Sequence, residues 1–183
     1  MKLSPKAIDV WRAGANWLSW KPDFECGSEN ELPVLLDESR FRKFWKEYSV
    51  LQGEESLARE RIRVHLAGFK SQSDPEKYAE DLKEALKLQK KHMSFISKLS
   101  AFRDPENYIA SDSFNREALK RLGVRKWSTY EALLDFAQRE AQGDMLSDLL
   151  ERTLPAEKPF SAGFEKAFRL RVVDCFLMRT GGR

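Results

Sequence analysis

Hydrophobic positions along the chain recur at helical spacing between short polar breaks, and no stretch shows the two-residue alternation of a strand. Ser4-Pro5 offers a capping hydroxyl followed by a proline that the first helical turn tolerates. Ile8, Trp11, Ala15 and Leu18 then follow at helical spacing. Residues from about 21 to 36, rich in Pro, Gly and polar side chains, read as a loop. A second helix is predicted from near Asp37, with Phe41, Phe44, Trp45 and Tyr48 on one side, and Gly53 ends it. A third runs from about Glu54 to Phe69, with Leu57, Ile62, Leu66 and Phe69 as its core candidates.

Ser73-Asp74-Pro75 repeats the capping signal, and Tyr78, Leu82, Ala85 and Leu86 carry the period forward. The pattern weakens over Gln89, Lys90, Lys91 and His92 and resumes with Met93, Ile96, Leu99 and Phe102. One long helix and two helices joined by a tight turn near His92 both satisfy this spacing. Asp104-Pro105 ends the unit, and Tyr108-Ile109-Ala110 reads as extended. Ser111 or Asp112 caps the next helix, which stops at Gly123. Ser128 with Glu131 has the spacing of a capping box, opening a helix with Tyr130, Leu133, Leu134 and Ala137 on its apolar face. A short helix follows over about Met145 to Leu154. The last helix, about Phe160 to Met178, is apolar over so wide an arc that it belongs in the core. The expected fold is all-α, a single helical domain over residues 1–183.

Composition narrows the setting more than the activity. A chain of 183 residues with five Trp and twelve Phe can bury a substantial core. Lys and Arg exceed Asp and Glu by only three, which predicts local charged patches, not a uniformly basic surface. The two cysteines, Cys26 and Cys175, are far apart, and Cys175 in its apolar helix reads as a buried thiol. No apolar run has the length of a signal peptide or a membrane span, so the expected location is the cytoplasm, with no membrane partner. Two histidines, His65 and His92, are too few for a His-rich metal site, and no phosphate-binding loop, dinucleotide fingerprint or HExxH motif is present. No metal or other cofactor is expected.

Basic clusters occur at Arg40, Arg42, Lys43 and Lys46, at Arg59, Arg61 and Arg63, and at Lys87, Lys90 and Lys91. Carboxylates interrupt most of them, as on ordinary solvated helix faces. Of the three, the cluster at Lys87, Lys90 and Lys91 is the least diluted. Trp11, Trp17 and Trp20 are candidates for stacking on a base, although such spacing also suits packing.

The segment from Ser97 to Ser113 places one lysine on a helix, a proline turn after it, and an aspartate at the mouth of the next helix. A chain reversal there would bring Lys98 and Asp112 together. A lysine in such a place acts as a nucleophile when desolvation or neighbouring cations lower its pKa, and an aspartate can manage protons. The same residues also suit a helix cap and a structural ion pair.

The arrangement Ser97-Lys98-Leu99, Phe102, Pro105, Tyr108-Ile109 and Asp112-Ser113 resembles the corresponding segment of the helix-hairpin-helix DNA glycosylases, and in particular bacterial proteins similar to 8-oxoguanine DNA glycosylase. Arg171-Val172-Val173-Asp174 with Phe176-Leu177 resembles the terminal helix of those proteins, and Phe44-Trp45 to Tyr48-Ser49-Val50-Leu51 does so more loosely. The resemblance implies that Lys98 attacks C1′ of a damaged nucleotide to give a Schiff base, and that Asp112 assists departure of the base. It implies DNA as the partner, with Lys87, Lys90, Lys91, His92 and Ser94 around the hairpin that faces it. The hairpin glycines usual in the superfamily are missing from Lys91 to Phe95. The alternative is therefore a catalytically inactive module that binds DNA or a protein partner, for example in bacterial defence.

Overall fold

A computed structural model of the chain describes residues 5–15, 42, 46, 56–66, 74–154 and 165–182. Among these residues there is no strand, Arg42 and Lys46 are helical, and eight helices have described bounds. They are α1 (residues 7–15), α2 (Ser56–His65), α3 (Pro75–Leu86), α4 (Met93–Arg103), α5 (Ser113–Arg121), α6 (Tyr130–Ala141), α7 (Asp144–Thr153) and α8 (Glu165–Gly181). The chain divides into two compact units, Met1–Pro22 with Asp104–Arg183, and Asp23–Arg103. Arg42 and Lys46, the described residues of the expected second helix, are helical, whereas its apolar positions Phe41, Phe44, Trp45 and Tyr48, and also Leu18 and Phe69, lie outside the described residues.

In the unit Asp23–Arg103, α2, α3 and α4 share a core of Ala58, Ile62, Leu66, Ala79, Leu82, Leu88, Phe95, Ile96 and Leu99. Ile62 and Leu66 are buried as their spacing predicted, but Leu57, the third described candidate, is 67% exposed and Ala58 turns inward in its place. The capping signal at Asp74-Pro75 holds: the Asp74 side chain accepts the Glu76 amide at 2.9 Å, and Pro75 takes the first helical position. The long periodic stretch resolves into two helices, and α3 ends earlier than His92. Lys87 adopts a left-handed conformation, φ 51°, while the Lys87 and Leu88 amides donate to the Glu84 and Lys83 carbonyls. This is the usual glycine-type helix ending with a lysine in the glycine position. Leu88, just beyond it, is buried in the core and holds the turn down.

The other unit is built on α8, which packs against α5 and α6. Its buried residues run from Ala167 to Leu177, Cys175 included, as the breadth of its apolar arc predicted, and the helix extends to Gly181. A Cβ at Gly181 would stand 2.1 Å from the Phe114 carbonyl oxygen, so only glycine lets α8 pass this close to the start of α5. Gly123 ends α5 at φ 69°, with the Gly123 and Val124 amides donating to the Lys120 and Leu119 carbonyls.

Two local readings shift. Thr129, not Ser128, caps α6, its hydroxyl accepting the Ala132 amide at 3.2 Å while donating to the Lys126 carbonyl, so Glu131 falls one position early for a capping box. On α1 the inward face is Asp9, Val10 and Ala13, whereas Ile8 and Trp11 are exposed at 45% and 62%. The cause is electrostatic: Arg179 on α8 donates to both carboxylate oxygens of buried Asp9 at 2.8 Å, which rotates the acidic face of α1 inward. Asp9 also accepts the Lys6 amide at 2.8 Å. The bond to Asp9 raises the Arg179 pKa above its ordinary value, and the guanidinium lies 5.6 Å from the centre of the Phe176 ring.

Candidate functional site

The residues singled out for DNA contact gather around one connector. Lys87 to His92 join α3 to α4, and Ser94 lies in the first turn of α4. Lys87, Lys90 and Lys91 are exposed, and Lys91 forms an ion pair with Glu80 at 3.1 Å, a surface pair of little energetic weight. His92, half-buried, is the second left-handed residue of the connector, with φ 50°. Its carbonyl accepts the Phe95 and Ile96 amides, so it stands directly before the helix. Both ends of the connector thus use backbone conformations that glycine adopts most readily, yet both positions carry side chains.

α4 is buried on nearly every side. Phe95, Ile96, Ser97, Leu99 and Ser100 are all buried, while Lys98 is half-buried among them. The two serines avoid stranded hydroxyls by turning back on their own helix: Ser97 donates to the Ser94 carbonyl at 3.2 Å and Ser100 to the Ile96 carbonyl at 3.0 Å. Lys98 therefore projects from a rigid, close-packed helix.

Asp112 stands at the start of α5 with extended backbone, and its Oδ1 accepts the Asn115 amide at 2.9 Å. The cap expected from the sequence is present. The segment leading to it, Tyr108-Ile109-Ala110, is neither helix nor strand and is fixed by one side chain. The Tyr130 hydroxyl donates to the Ile109 carbonyl at 2.9 Å and accepts the Ile109 amide at 3.3 Å. Upstream, Asn107 donates to both carboxylate oxygens of Asp104 at 3.0 Å. It accepts from Lys166 at 2.8 Å through its side chain and from Gln138 at 3.1 Å through its carbonyl. The chain from Asp104 to Asp112 is held at several points by α6 and α8.

A buried polar network supports Asp112 from below. Asn115, 1% exposed, donates to Asp174 Oδ1 at 2.8 Å, and Arg171 pairs with the other oxygen of Asp174. Asn115 Oδ1 is buried with no hydrogen-bond partner among the described residues. Reversing that amide would set its oxygen against the Asp174 carboxylate, so the orientation follows from charge. Two stretches noted separately in the sequence, Asp112-Ser113 and Arg171 to Asp174, are thus joined through Asn115. Sequence reading missed Asn115 and Tyr130 as supports; the signal for the network was a single aspartate, Asp174, between Val173 and Cys175 in an apolar helix.

Lys98 belongs to the unit ending at Arg103, and Asp112 to the unit resuming at Asp104. Among the described residues no group of three or more His, Cys, Asp or Glu side chains is arranged to hold a metal ion, and no helix is long and apolar enough to cross a membrane. Compared with protein-family models, curated proteins and solved structures, the chain has no match in any of the three.

Proposed function

We propose that this is a DNA-binding protein of the helix-hairpin-helix glycosylase type, in which Lys98 is the nucleophile and Asp112 assists departure of the base. The observation that carries the reading is the order of supports along the chain. A lysine projects from a buried helix that follows a basic connector, and a pinned irregular segment then leads to a helix-capping aspartate braced from below. Catalysis by a positioned lysine and carboxylate depends on such pre-organisation.

In the proposed reaction the Lys98 amine attacks C1′ of a flipped nucleotide as the base leaves. The proton taken up by the departing base passes through the Asp112 carboxylate. The resulting C1′ glycosylamine then opens its sugar ring: the nitrogen lone pair forms the C=N bond of the Schiff base as the C1′–O4′ bond breaks, and O4′ takes up the proton that the attacking amine released. No cofactor enters.

A second reading rests on Lys87 and His92. Both adopt left-handed backbone that glycine favours yet carry side chains, which hinders close approach of a phosphate to the connector and favours a catalytically inactive module that binds DNA by its charged side chains or binds a protein partner.

Incubating the protein with DNA containing an abasic site and borohydride separates the two. The enzyme reading predicts a covalent protein–DNA band, because hydride reduces the Schiff base to a stable amine. Binding without that band would leave the second reading.

A further inference from the structure

The connector between α5 and α6 carries a basic surface that the sequence-derived clusters did not include. From Ala118 to Tyr130 the chain holds Lys120, Arg121, Arg125 and Lys126 and no carboxylate. Removing these four cations from the net charge of +3 leaves the remainder of the chain at −1. The whole positive excess of the protein therefore resides in this stretch.

All four residues are exposed, as are Trp127, at 39%, and Ser128. They are not equally available. Arg121 donates to Glu117 at 3.0 Å and to the Thr180 carbonyl at 2.8 Å, closing the end of α8. The Lys120 ammonium lies 5.5 Å from the centre of the Trp127 ring, which holds it near the turn. Arg125 and Lys126 stand on the turn itself, Lys126 in a left-handed conformation at φ 54° that tightens it. By contrast, the hairpin cluster at Lys87 to Lys91 shares its surface with Glu80, which takes Lys91.

We propose that Lys120, Arg125 and Lys126 form a second contact for the nucleic-acid sugar–phosphate backbone, at the end of α5 remote from Asp112. Closely spaced cations with no interleaved carboxylate match the repeating single charges of a phosphate chain, and neutralising those charges releases counterions. Among the exposed residues from Lys120 to Ser128, Trp127 is the one large apolar side chain, and its ring lies against a lysine, unlike the broad apolar face that sinks into a bilayer. The assignment does not depend on chemistry at Lys98.

The test is fluorescence anisotropy of the full chain with labelled DNA, single-stranded and duplex, over a salt series. Arg125→Glu/Lys126→Glu and the milder Lys120→Gln/Arg125→Gln are compared with Lys90→Glu/Lys91→Glu, and thermal melting is recorded for each. In the first pair, affinity is expected to fall on the order of tenfold or more, with unchanged melting. The log–log salt slope on duplex is expected to drop by roughly 1.8, about 0.9 for each lost phosphate contact. The milder pair should lower the slope in the same direction. Unchanged affinity and slope in both pairs would overturn the proposal, as would binding to anionic phosphatidylserine vesicles with no binding to DNA. If only Lys90→Glu/Lys91→Glu loses DNA, this inference fails and the hairpin reading survives. If the Arg125 and Lys126 effect appears in a protein that gives no abasic-site adduct, the inference stands and the glycosylase reading fails.

Discussion

Replacing Asp112 by asparagine and by alanine separates two roles that one carboxylate can hold. As a cap, its Oδ1 accepts the Asn115 amide at 2.9 Å. Asn115 is buried, so water cannot easily replace that acceptor. Alanine at a cap costs about 1 kcal/mol, and a stranded buried amide moves the cost toward about 1.5–2 kcal/mol. In a chain of this length that is a fall in melting temperature of roughly 3–8 °C. Asparagine keeps an acceptor and loses only the charge at the helix N-terminus, worth about 0.3–1 kcal/mol on an exposed end. Asp112→Asn should therefore melt close to the parent, with Asp112→Ala clearly below both. Chemistry ranks the variants differently. A carboxylate that handles a proton in base departure contributes about 10²–10⁴-fold, and neither asparagine nor alanine can supply it. Single-turnover base release at saturating protein, with melting followed by circular dichroism, reads both quantities. Base release by Asp112→Asn at the parental rate would refute the catalytic role and leave a cap.

Three further outcomes follow from the fold. Lys87→Gly removes a left-handed lysine, φ 51°, and should stabilise the protein by about 0.5–1 kcal/mol; a lower denaturation midpoint would contradict that account of the turn. Gly181→Ala would force a Cβ to within 2.1 Å of the Phe114 carbonyl oxygen, a backbone atom that cannot swing aside, and should cost about 2–3 kcal/mol by denaturant unfolding. Burial pushes the Tyr78 hydroxyl up to about 12 from its ordinary value of 10.0. A raised folded-state pKa means the unfolded chain releases this proton first. The stabilising contribution is therefore intact below pH 10 and is lost as the pH rises toward 12. Tyr78→Phe should flatten that alkaline decline in melting temperature.

How legible the chain was depends on what each residue had to satisfy. Local signals transferred well: Asp74-Pro75 and Asp112 cap helices, and Gly123 ends one. Each of these is decided within a few residues of backbone. Long-range choices did not transfer. The spacing of Ile8, Trp11 and Ala15 suits a buried stripe, yet Asp9 faces inward because Arg179, 170 residues away, pairs with it. The brace on Asp112 was equally hidden, since nothing local to Asn115 indicates that Asp174 will lie beside it. Lys87 and His92 in left-handed conformations were invisible for another reason: the signal for such positions is glycine, and here the packing of Leu88 and Phe95 imposes the turn on residues that do not favour it. The Lys120 to Lys126 surface could have been found by asking where carboxylates are missing instead of where lysines are dense.

The most direct test of the central claim is the identity of the residue that carries trapped DNA. Borohydride-treated complexes with abasic-site DNA would be digested with nuclease and protease, and the modified peptide sequenced by mass spectrometry, for the parent and for Lys98→Gln. The account predicts the sugar remnant on Lys98, and no trapped product from a Lys98→Gln protein that still melts and binds DNA like the parent. A remnant on Lys90, Lys91 or another exposed lysine, or an undiminished yield from Lys98→Gln, would contradict it.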